Sequence, residues 1–243
     1  MFKHMITFAA VVGFVLALAP AAQAATILDT DPLAMALGLT EGAIFRMVFV
    51  TSTTTKAESK EIGDYNTFVN NVANNLAGNS GSIVAAYGWT WSVIGSTASM
   101  DAIENTGTQW TTAAPGFPIY LVGGYTDRVA DTYQDIWDRS IKRSINRHQT
   151  GALREGVDMV VFTGTDPYGY RESGSLLGDA LPLCGYVGIL GEGWTHYCDR
   201  WYYDASSLYA MSEPIRVIPE PATMALMGLG GLGMLLGRRR VRG

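Results

Sequence analysis

An α+β domain is predicted for the middle of the chain by three observations. Short runs rich in β-branched and aromatic residues alternate with Gly- and Thr-rich stretches, one segment keeps helical spacing over several turns, and no repeat of fixed period is present. With 243 residues and 48% hydrophobic side chains, the chain has length and apolar surface for one such domain. Its expected limits are residues 26 and 216, because residues 1–25 and 217–243 read as segments of a different kind.

Residues 1–25 open with Lys3, continue through an apolar run from Met5 to Ala19 and end in Pro20 and small residues, with Ala22-Gln23-Ala24 as the cleavage signal. That three-part order is a secretory signal peptide, so an N-terminal signal helix and an exported chain are expected. In the body, "AIFRMVFVTSTTT" (43–55) gathers Ile44, Phe45, Val48, Phe49 and Val50 into a buried strand that runs out into hydroxyl residues. "DYNTFVNNVANNLAGN" follows, with Tyr65, Phe68, Val69, Val72, Ala73 and Leu76 at helical spacing, Asp64 as N-cap and Gly78 past the end. Strand-like runs then occupy residues 87–97, 116–122, 156–165 and 207–218. Between them, "RVADTYQDIWDRSI" (128–141) sets Val129, Tyr133, Ile136, Trp137 and Ile141 near helical spacing and predicts a second helix.

The end of the chain, "VIPEPATMALMGLGGLGMLLGRRRVRG" (217–243), joins a Pro-Glu-Pro triplet, an uncharged run from Ala222 to Gly237 and an arginine cluster. A C-terminal transmembrane helix is expected there, somewhat short for a hydrocarbon core of ~30 Å, with the arginines on the cytoplasmic side. Pro219, Glu220 and Pro221, the Gly-rich run and Arg238, Arg239 and Arg240 resemble the PEP-CTERM sorting signal. The resemblance implies exosortase, a membrane cysteine protease of exopolysaccharide-producing Gram-negative bacteria, as a partner. It also implies an intermediate at the inner membrane, then residence at the cell surface or in the extracellular matrix. Gly228 to Gly233 fit G-x-G-x-x-G only in form. A dinucleotide site needs a preceding strand and a later acidic residue, and neither is present, so no cofactor is expected.

Of the 17 basic residues, Lys3, Arg238, Arg239, Arg240 and Arg242 lie in the two ends, leaving 12 against 22 acidic ones between residues 26 and 221, a net charge of −10. Such a body repels nucleic acid, and no nucleic-acid partner is expected. The order of "WSVIGSTAS", "YTDRVADTYQDIWDRSI", "VFTGTDPYG" and "LYAMS" resembles a bacterial group of C-type-lectin-like domains over roughly residues 42–213. The resemblance implies an irregular antiparallel sheet with one or two helices. Phe162 stands where that group has tryptophan, and the Glu-Pro-Asn and Trp-Asn-Asp triplets of calcium-dependent sugar binders are absent, so calcium-mediated ligation is not implied.

Candidate chemistry is sparse. Cys184 and Cys198, the two cysteines, are expected to form a disulfide in an oxidising compartment. The rival use of "HYCD" (196–199) as a metal or nucleophile site lacks converging ligands, with only His148 left as a distant histidine, and no metal is expected. No G-x-S-x-G elbow selects a serine. Asp127, Asp131, Asp135 and Asp138 would share one face of a helix, where paired carboxylates can act as acid and base or hold calcium; interleaved Arg128, Arg139, Lys142 and Arg143 argue instead for a solvated face. Trp194, Trp201 and Tyr202, in a Gly- and Tyr-rich stretch, are candidates for stacking on flat sugar faces. The expected function is therefore non-catalytic: an exported surface or matrix protein that binds glycan, exopolysaccharide or protein. An extracellular glycan hydrolase using the clustered carboxylates is the alternative.

Overall fold

The computed structural model describes residues 25–124, 126–156 and 159–220. The signal segment before Ala25, Pro221, the apolar run after it and Arg238, Arg239 and Arg240 lie outside these residues. Among the described residues no helix is long and apolar enough to cross a membrane.

The body is mostly sheet with few helices, as an α+β domain requires. Strand β1 (Ala25–Leu28) leads into a short helix α1 (Pro32–Ala36), where the Asp31 carboxylate accepts from the Leu33 N–H at 2.8 Å and Pro32 fills the first turn. Strand β2 (Ile44–Val50) is the centre of the sheet. Its Phe45, Met47 and Phe49 face one apolar cluster, and Val48 and Val50 the other. Burial on both faces explains why the run shows no polar alternation.

Helix α2 (Ile62–Ala73) covers the first face with Tyr65, Val69, Val72 and Ala73, each fully buried aliphatic chain contributing roughly 1.5–3 kcal/mol. It begins two residues before Asp64, which lies in the first turn rather than capping it, and it stops short of Leu76, which is exposed. Strand β3 (Trp91–Val93), helix α3 (Ala102–Asn105), strand β4 (Ile119–Leu121) and strand β5 (Arg128–Ala130) follow. After the one-turn helix α4 (Tyr133–Ile136) come β6 (Val160–Phe162), β7 (Leu183–Tyr186), β8 (Cys198–Asp199), β9 (Ser207–Ser212) and β10 (Ile215–Ile218).

The sheet is mixed rather than purely antiparallel. Strand β2 carries parallel β4 on one edge, with β5 antiparallel beyond it. Its other edge is lined by β9 and β10 in turn, both antiparallel, with Val48 opposite Met211 and Phe45 opposite Ile215. The register moves by one residue between those pairs, so residues 207–218 form one bent strand interrupted at Glu213-Pro214, where proline has no N–H to give the ladder. On its far side this strand takes β6 (parallel), β3 (antiparallel) and β1 (parallel), and β7 and β8 extend from β6.

The predicted helix over residues 128–141 does not form as one element. Val129 and Ala130 lie on β5 paired to β4, Thr132 and Asp135 close a capping box that starts α4, and Arg139 adopts a φ of 80°. Ladder bonds to β4 outweigh a periodicity that local sequence alone favours. The expected body limit after residue 216 falls inside β10, so body and terminal segment share a strand.

Candidate functional site

Two features concentrate functional potential: the aromatic end of the sheet at β8, and the end of β10. At the first, Trp201, Tyr202 and Tyr203 are exposed at 48%, 37% and 50%. Trp201 and Tyr203 stack with ring centroids 5.6 Å apart and planes 12° from parallel, and Tyr202 meets Tyr203 edge-on at 5.5 Å. The loop that carries them is pinned on both sides. Tyr202 donates its N–H to the Ala180 carbonyl and its carbonyl accepts from Ala57, while Asp204 N–H closes a turn onto the Trp201 carbonyl. Exposed Tyr197 packs against Tyr186 at 4.9 Å beside them. Rings held this way offer wet apolar faces at little ordering cost, the property a stacking surface for sugars needs.

Trp194 does not belong to this surface. It is fully buried, its ring between Trp137 and Tyr209 at 5.7 and 5.9 Å. The cause is Gly185 on β7. A Cβ there would lie 1.8 Å from the Trp194 carbonyl oxygen, so only glycine lets the turn at Glu192–Trp194 close onto the strand and drive the indole inward.

Cys184 and Cys198 face each other in the β7–β8 ladder, but no disulfide joins them in this structure, so the expected bond is not formed here. Burial, reinforced by the neighbouring Cys198, pushes the Cys184 thiol well up from its ordinary value. That disfavours a thiolate nucleophile or metal ligand there, and among the described residues no group of three His, Cys, Asp or Glu side chains is placed to hold a metal.

Each of the four aspartates is engaged by nearby donors. Asp131 pairs with Lys142 and, at 3.1 Å, with Arg128, and those bonds, Lys142 first, hold its carboxyl below the usual range. Asp135 caps α4 by accepting from the Asp131 and Thr132 N–H groups at 3.0 and 3.2 Å. Asp138 accepts from Ser140, and Asp127 lies 3.5 Å from Arg143. A general acid for glycoside cleavage needs a raised pKa, opposite to that of Asp131. His148 is half-buried with Nδ1 at 3.1 Å from the Val50 carbonyl, and burial lowers its pKa; His196 is exposed.

Sequence reasoning missed two residue sets. Arg46, 4% exposed, gives Nε to the Tyr133 hydroxyl at 2.7 Å, Nη1 to the Thr106 and Ser212 carbonyls and Nη2 to Gly107, tying β2 to β9 and to the segments around α3 and α4. Asn66 and Asn70 on α2 and Asn74 at its C-cap, one turn apart, bond the backbone of the segment carrying β3. Asn70 Oδ1 accepts from Trp91 at 2.9 Å, Asn66 Oδ1 from Val93 at 2.8 Å, and Asn74 Nδ2 donates to Trp89 at 3.1 Å. Their i, i+4, i+8 spacing was the available signal, since asparagines aligned on one helical face need polar partners. A small, mainly apolar pocket of about 140 Å³, lined by Leu33, Met47, Val84 and Tyr87 among others, has room for one ring.

At the second feature, β10 ends at Ile218, whose carbonyl accepts from the Asp29 N–H at 2.8 Å, and the Thr30 hydroxyl donates to Glu220 Oε1 at 2.8 Å. Residues 217–240 match the model of the PEP-CTERM protein-sorting motif. None of the curated proteins compared with the chain matches it.

Proposed function

We propose that this is a non-catalytic protein of the cell surface or extracellular matrix whose aromatic edge binds glycan, exopolysaccharide included. The matched terminal motif marks an exported protein sorted by exosortase at the membrane of a Gram-negative bacterium. The single observation that supports glycan binding is the parallel, half-exposed Trp201–Tyr203 pair on a loop fixed by backbone bonds. A lectin-like fold is consistent with how three of the quoted segments meet. The Ser96 N–H of "WSVIGSTAS" donates to the Thr163 carbonyl of "VFTGT", its hydroxyl lies 2.8 Å from Thr165 Oγ1, and β3 pairs with the "LYAMS" strand. We further propose that the facing thiols of Cys184 and Cys198 join after export, each losing a hydrogen to a thiol oxidase of the envelope, and fasten β8 and its aromatic loop to β7. An intact mass two hydrogens lighter than the free dithiol supports this; an unchanged mass, with both thiols alkylated once the protein is unfolded, rejects it.

The test of binding is a glycan array with the mature protein, run beside Trp201→Ala. The expected result is a signal on one class of polysaccharide that falls about 5- to 30-fold in the variant, stacking on one ring being worth about 1–2 kcal/mol. Equal signals from both proteins remove the aromatic edge from the reading.

A further inference from the structure

We infer that the folded body sets the inner limit of its own processing: the bond broken in maturation lies C-terminal to Glu220, and the mature chain keeps β10 whole. The inference rests on the exosortase reading above.

The sorting motif begins at residue 217, inside a strand that ends at Ile218. That strand is not a free end of the sheet. It has β1 along one edge, with Ala25 to Leu28 opposite Ile215 to Ile218, and β2 along the other. Val217 donates its N–H to the Ala43 carbonyl and accepts from Gly42, both at 2.9 Å, and its side chain is 1% exposed. Beyond it, the Ile218 carbonyl is taken by Asp29 and the Glu220 carboxylate by Thr30. Proteins that grip an extended peptide do so largely by adding it to a strand edge, through main-chain bonds. From Ile215 to Val217 both edges are occupied, and Ile218 is held on the β1 edge, so no enzyme can pair with Ile215 to Val217 while the sheet is intact.

Past the end of the strand Pro219 and Glu220 are both exposed, and in the sequence only Pro221 separates them from the uncharged run at Ala222. An enzyme that reads the triplet therefore touches the body as well, at the rim formed by Asp29, Thr30 and Gly42. The chemistry is a peptide C–N bond broken beyond Glu220. Its carbonyl carbon passes to the enzyme's nucleophile and then to water or an acceptor amine, and the departing tail amine takes up a proton.

The experiment is to recover the mature form of the full-length chain from an exosortase-bearing producer and determine its C-terminal residue by intact mass and C-terminal peptide sequencing. A last residue at Glu220 or beyond, short of the full tail, is the expected result. A mature form ending at Pro219 or earlier overturns the inference while leaving exosortase sorting in place. A tail retained in full would instead overturn the processing reading, and this inference with it.

Discussion

Trp194 and Trp201 lie seven positions apart in one aromatic-rich stretch, yet the first is fully buried and the second is 48% exposed. Composition is the same around both; what differs is the backbone each one meets. Trp194 faces a glycine strand position that lets the chain collapse inward, whereas Trp201 sits on a loop whose backbone is already bonded outward to Ala180 and Ala57 through its neighbour. One tryptophan therefore serves stability and the other keeps part of its ring in solvent. That division can be broken or sharpened by substitution.

The largest effect is expected from Trp194→Ala, a loss of about 4 kcal/mol from cavity formation between Trp137 and Tyr209, read as a fall of roughly 10 °C in melting temperature. Trp201→Ala should change stability by less than about 0.5 kcal/mol while weakening glycan binding. Equal destabilisation by the two would erase the distinction. Next comes Arg46→Met, expected to cost about 3 kcal/mol because three carbonyls and the Tyr133 hydroxyl lose charged donors in a dry site. Denaturant titration with an unchanged slope would confirm a stability effect of that size. Asn70→Ala should cost about 2 kcal/mol, since it strips both the N–H and the carbonyl of Trp91 of their partner; native-state hydrogen exchange should show the Trp91 amide opening first.

The smallest effect concerns pH. Burial lowers the pKa of His148, so the folded state binds its proton less readily than the unfolded chain. Stability from this group is full above the ordinary histidine value near ~6.5 and is lost as pH falls from there toward the lowered folded value. Melting temperatures between pH 7.5 and 5.0 should fall less in His148→Gln than in the parent, and parallel curves would remove His148 as the cause.

Much of the fold was legible. The apolar run at Ile44–Val50, the helical face of α2 and the strand-like segments over Trp91–Val93, Ile119–Leu121 and Val160–Phe162 all declare themselves by local pattern. The rest depended on partners far along the chain. Residues 128–130 carry helical spacing but extend because β4 is there to pair with them, and β1 has no local signature, being a strand only against β10. Of the aromatic candidates, Trp201 and Tyr202 reach the surface and Trp194 does not, a difference set by a glycine nine residues earlier whose role appears only in three dimensions. The asparagine rungs on α2 were readable as spacing, but their targets were not.

The bent strand made by β9 and β10 supplies one whole edge of β2, from about 160 residues later in the sequence. As the chain is made from its N-terminus onward, β2 appears long before its principal partner, and the central ladder cannot close until β9 and β10 have followed. High contact order of this kind delays folding, so a chain marked for export stays open for longer than one whose strands pair in order of synthesis.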